Sequence, residues 1–98
     1  MTKKKVKTYP YDSAEYLDSS EAIDAYMEEA LETNDPAFIA TALGTVARSH
    51  GMSQIAKKAG LSRESLYKAL SAAGNPEFGT IMRVMQALGL RFSITAAR

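Results

Sequence analysis

Residues 62–68 place two hydroxyls, a guanidinium, a carboxylate, a phenol and an ammonium in one short run, as Ser62, Arg63, Glu64, Ser65, Tyr67 and Lys68. These groups donate to and accept from base edges and phosphates. They do not make a bond-cleaving set, because no histidine lies near Ser62, Ser65 or Ser71 to activate a hydroxyl. The spacing around them indicates what must hold them. Ala56 sits four positions before Gly60. A small residue there lets a second helix approach closely, and Gly60 can take the left-handed conformation of a tight turn. Leu61 is placed to pack inward, and Ser62 to cap the next helix by accepting from a free amide. Leu66, Ala69 and Leu70 then share one face, while Arg63, Glu64, Tyr67 and Lys68 share the other. The pattern predicts a helix-turn-helix whose short second helix carries a polar, partly basic face suited to a DNA major groove. An ordinary helical hairpin in a bundle would show the same spacing.

Other chemistry is missing. The one histidine, His50, has no cysteine or second histidine to share a metal with. Its place beside Gly51 predicts a C-terminal capping role. The acids are not accompanied by a glycine-rich phosphate loop. The stripes holding Met27 and Met85 have core-like helical spacing. No enzyme, metal or cofactor is expected.

The chain has 98 residues, 46% of them hydrophobic and 23% charged, which predicts one domain with a modest core. There are no cysteines, so disulfides and thiolate zinc sites are excluded. The start, Met-Thr-Lys-Lys-Lys, has no apolar stretch behind it and is not expected to be a signal peptide. No apolar run approaches the roughly 20 residues that cross a membrane. The expected compartment is the cytoplasm.

The net charge of +1 hides a strong partition. Residues 1–8 hold four lysines and no acid, residues 9–35 hold nine acids and no Lys or Arg, and residues 36–98 hold eight basic residues and two acids. DNA would repel the middle block and attract the last. Two surfaces with partners of opposite charge is the simplest account. A plainer one is that the acids merely solvate a helix or fold back on the basic part.

Along the chain, residues 1–8 read as a flexible basic tail and residues 9–98 as one domain. Within that domain, 9–34 is an acidic segment and helix, 35–89 is the DNA-binding bundle, and 90–95 is a strand. Tyr9-Pro10-Tyr11-Asp12 reads as extended or turn, its tyrosines anchoring it on the body. The first helix is expected from about Ser19 to Thr33, with Asp18 and Glu21 as a capping box and Asn34 as its end. Its apolar stripe is Ala22, Ile23, Tyr26, Met27, Ala30 and Leu31. Asp35-Pro36 opens the second helix, with Ile39, Ala42, Leu43, Val46 and Ala47 inward. Ser53 is expected to cap a short third helix, 54–59. The fourth runs from Arg63 to about Ala72 and is broken by Ala73-Gly74. Asn75-Pro76 then caps and opens a fifth, about 77–88, burying Ile81, Val84, Met85 and Leu88. Leu90-Arg91-Phe92-Ser93-Ile94-Thr95 alternates as a strand does. Its partner would be the stretch 6–9 or the same strand of a second subunit. The expectation is a mainly α fold of five helices with a short C-terminal β-strand.

Several segments together resemble a known family. They are Tyr11 to Leu17, Ala42-Leu43-Gly44 with Ala47-Arg48, His50 to Ser53, Gly60 to Ser71, Gly74-Asn75-Pro76, and Ala87 to Leu90. The chain resembles the HigA-like addiction-module antidote proteins of bacteria, within the Xre, lambda-repressor-like group, over residues 9–95. The resemblance implies an antitoxin of a type II toxin-antitoxin module. Such proteins neutralise a small basic toxin of the RelE/ParE class, often an mRNA-cleaving ribonuclease, and repress their own operon as homodimers. The charge partition agrees with this. The resemblance also implies DNA-reading positions. Arg63, Glu64 and Lys68 would face base edges, with Arg63 suited to guanine. Glu64 would accept from cytosine or, equally, orient Arg63. Ser65 and Tyr67 would reach phosphate or a thymine methyl, beside Ser62 at the helix start. Ser53 and Gln54 would hold phosphate, as would Asn75, although capping alone explains Asn75. Lys57 and Lys58 need only be solvated. For the toxin, Tyr11, Tyr16 and Leu17 are the expected anchors, and Glu21, Asp24 and Glu28 the expected electrostatic face. The alternatives are a stand-alone Xre-type repressor without a toxin, and a protein-interaction adaptor that does not bind DNA.

Overall fold

Capping chemistry sets the helix order. A computed structural model describes residues 18–97, which form α1 (Ser20–Glu32), α2 (Pro36–His50), α3 (Met52–Ala59), α4 (Arg63–Ala69) and α5 (Phe78–Ala87). The expectations for residues 1–17, including Tyr11, Tyr16 and Leu17, lie outside the described residues.

Ser19 caps α1, its Oγ accepting from the Ala22 amide at 3.1 Å. This corrects the expected Asp18–Glu21 box. The helix begins at Ser20, so Asp18 is one residue too far out to reach the third free amide. Asn34 turns left-handed at φ 56° and ends the connection. Asp35 then caps α2 as expected, its carboxylate accepting from Ala37 at 3.0 Å and Phe38 at 3.4 Å, with Pro36 at the first helical position.

Two other expected caps fail. The Gly51 carbonyl accepts from the Ile55 amide, so α3 begins at Met52 and Ser53 lies inside its first turn. Asn75 takes φ 47°, a left-handed turn conformation that Asn tolerates, and Glu77 stands at the cap of α5 without a side-chain bond. Pro76 therefore precedes the helix and does not open it. The fourth helix is also shorter than expected. It ends at Ala69, and the chain turns through residues 70–74.

The expected C-terminal strand is absent among the described residues. Leu90 donates its amide to Met85 O at 2.9 Å, and residues 91–97 continue without regular structure. A strand needs a neighbouring backbone, and the described part of this chain offers none.

The core forms where α3 packs against α2, α4 and α5, with α1 laid on α2. Leu43, Val46, Ile55, Leu66 and Val84 are its largest fully buried side chains. Ile23, Met27 and Ala30 join it from α1, and Tyr26, Ile39, Leu61 and Ile81 close its edges. Leu31, expected in the α1 stripe, stands at the rim and is exposed.

Candidate nucleic-acid interface

The turn between α3 and α4 is three residues, Gly60-Leu61-Ser62. Gly60 takes φ 74°, and its amide returns to Lys57 O at 3.2 Å. A β-carbon at this φ would be strained, so glycine fixes the direction in which α4 leaves. Ala56 is buried behind the turn, and its carbonyl accepts from Leu61 at 2.8 Å. Leu61 packs against the core.

Ser62 caps α4, accepting from the Ser65 amide at 3.0 Å. Its hydroxyl donates to Ser65 Oγ at 2.9 Å. This second bond was not legible from the sequence, and it ties the two hydroxyls of the site to each other. Leu66 and Leu70 are buried beneath the helix. Arg63, Glu64, Ser65, Tyr67 and Lys68 are all exposed, so the anticipated polar face exists. The Arg63 guanidinium carbon lies 5.6 Å from the Tyr67 ring centroid. Attraction between cation and ring face holds such a pair, worth about 0.5–1 kcal/mol where exposed. Residues four apart on a helix are neighbours, whereas adjacent ones do not face each other. Tyr67 is thus better placed than Glu64 to orient Arg63.

Ser53 and Gln54 are exposed in the first turn of α3, and Lys57 and Lys58 are exposed further along it. Asn75 is exposed in the turn before α5, separate from α4 in the chain. On α1, Glu21, Asp24, Glu28, Glu29 and Glu32 are all exposed, which forms a continuous acidic outer surface over the buried Ile23, Met27 and Ala30. His50 Nδ1 lies 3.1 Å from Val46 O and 3.2 Å from Ser49 Oγ at the end of α2, the local role its position suggested. Among the described residues, no group of three or more His, Cys, Asp or Glu could hold a metal ion. No helix among them is long and apolar enough to cross a membrane.

A family model described as "Probable addiction module antidote protein" matches residues 7–96. An uncharacterised protein of Haemophilus influenzae is 51% identical over 88 residues, which cover 90% of this chain and 91% of that protein. No solved structure matches. The family match spans all five helices, the turn at Gly60 and the acidic face of α1, and so the chain belongs to the family of probable addiction module antidote proteins.

Proposed function

We propose that the chain is the antitoxin of a type II module, which neutralises a RelE/ParE-like toxin and represses its own operon by sequence-specific DNA binding. Membership of an antidote family implies a toxin partner of some kind. The finer reading rests chiefly on one observation: α4 presents five polar side chains to solvent while Leu66 and Leu70 hold it to the core. In this reading α3 and α4 are a lambda-repressor-like helix-turn-helix of the Xre type, and α4 lies in the major groove. Arg63 reads a base, Tyr67 supports it, and Ser53 and Gln54 touch phosphate. The protein acts on DNA as a homodimer, because a two-fold pair doubles the readout over half-sites about one helical turn apart.

Arg63→Ala tests the DNA half. Binding to the DNA upstream of the gene should weaken by about 1–3 kcal/mol, with random-sequence DNA much less affected. Mobility shifts on both DNAs measure this, and an equal loss on the two removes Arg63 from base readout.

The acidic face of α1 carries the electrostatic part of the toxin contact. A ribonuclease needs a cationic surface for RNA, and an exposed acidic helix complements it. Charge reversal of Glu21, Asp24, Glu28 and Glu32 to Lys should leave the fold nearly intact, since all four are exposed. Association with the cognate toxin should slow and lose its salt dependence, as read by stopped-flow. An unchanged rate places the contact elsewhere. An operator shift without any complex in the wild type would make the chain a stand-alone repressor.

A further inference from the structure

An open cleft of about 610 Å³ lies between the α1–α2 corner and the α4–α5 loop. Leu31, Ile39, Ala72, Pro76, Ile81 and Phe92 give it apolar walls. Asp35 is its one charged lining residue. Glu28 stands exposed one turn before Leu31, on the same side of α1. An apolar floor with an acidic rim suits an extended segment that carries apolar side chains and positive charge.

This chain holds such a segment. Residues 91–98 contain Arg91, Phe92, Ile94 and Arg98 and no acid. Phe92 lines the cleft and stacks on Phe78, with ring centroids 5.9 Å apart and 21° between planes. Ile94, two residues on, is 97% exposed and is left unburied by the described residues. Phe78 is also largely exposed. An open apolar cleft thus has a protruding apolar side chain two residues along the chain from its Phe92 wall, and exposed apolar surface of this kind marks interaction sites.

We propose that the cleft receives the C-terminal segment of a second copy, with Ile94 as the anchoring side chain. In a two-fold pair each segment crosses to the opposite cleft, so one self-complementary contact is made twice. The crossing stretch begins beyond Phe92, which stays in the wall of its own cleft. The contact is side chain into cleft, and so differs from a ladder between two tails. It needs neither DNA nor toxin, and it rests on the homodimer proposed above: a monomer would sink both, whereas an Ala72→Arg variant that pairs normally would sink the cleft contact alone.

The full chain carries the test, with oligomeric state read by sedimentation velocity across the micromolar range. Ile94→Asp alters a side chain that is exposed among the described residues, and Ala72→Arg alters an exposed wall of the cleft. Circular dichroism should show both folded. Each is expected to raise the dimer Kd at least about tenfold, the scale of losing an anchor from a buried pocket. Mixing the two variants should partly restore pairing, because the mixture keeps one intact segment and one intact cleft. A monomeric wild type overturns the proposal. So does Ala72→Arg pairing as tightly as the wild type, which would indicate tails joined to each other.

Discussion

Leu66→Ala is expected to cost about 2–5 kcal/mol of folding stability, the range for emptying a buried leucine site. Leu66 is 0% exposed and is the one fully buried large side chain of α4. A domain of this size is stable by only about 5–15 kcal/mol, so the loss takes a large share of the total. At about 4–8 °C per kcal/mol, the melting temperature falls by roughly 8–40 °C. Thermal and urea unfolding followed by circular dichroism measures it. Glu64→Ala, two residues away on the exposed face of the same helix, provides the contrast and should stay within about 0.5 kcal/mol. Equal losses for the two would mean that α4 is not held by its inner face.

Gly74→Ala is the second large effect, and it arises from a close approach of backbone. A β-carbon on Gly74 would sit 2.2 Å from Lys68 O and 2.7 Å from Ala69 O. Both are carbonyls at the end of α4, and neither can rotate away. The α4–α5 loop must move outward, or the last turn of α4 must open. A loss of about 1–3 kcal/mol follows, as for other forced overpacking. The damage should be local as well. Hydrogen exchange should rise first at Ala69 and Leu70, whose amides close the last turn, while α1 and α2 keep their protection. Uniform loss of protection, or none, would contradict this account.

The second helix shows why part of the fold was legible from the sequence. Asp35-Pro36 carries its own instruction: a carboxylate to bond the free amides, and a proline that lacks one. Asn75-Pro76 looks like the same instruction and is not, because Asn75 adopts a positive φ and leaves the capping position to Glu77. Nothing in the dipeptide separates the two cases. The separation comes from the tight return of Gly74 onto the end of α4, a contact made in three dimensions. The alternation at 90–95 was legible as a pattern, but pairing depends on a neighbouring backbone that the pattern does not contain. The polar face of α4 was legible because helical spacing alone sorts Leu66 and Leu70 from Arg63, Glu64, Tyr67 and Lys68. The ring beneath Arg63 was latent in the four-residue spacing. The stack of Phe78 on Phe92 and the cleft beside it join residues far apart in the chain, and no local rule foretells them.

The outward side chains of α4 contribute almost nothing to the core, since Leu66 and Leu70 hold the helix from within. Arg63, Glu64, Tyr67 and Lys68 are therefore free to be exchanged at little cost to folding. In the DNA-reading role proposed for α4, mutation can then change what the helix recognises step by step, through intermediates that all still fold. In that role, relatives built on this scaffold can drift apart in target, and each can come to ignore the other's sites.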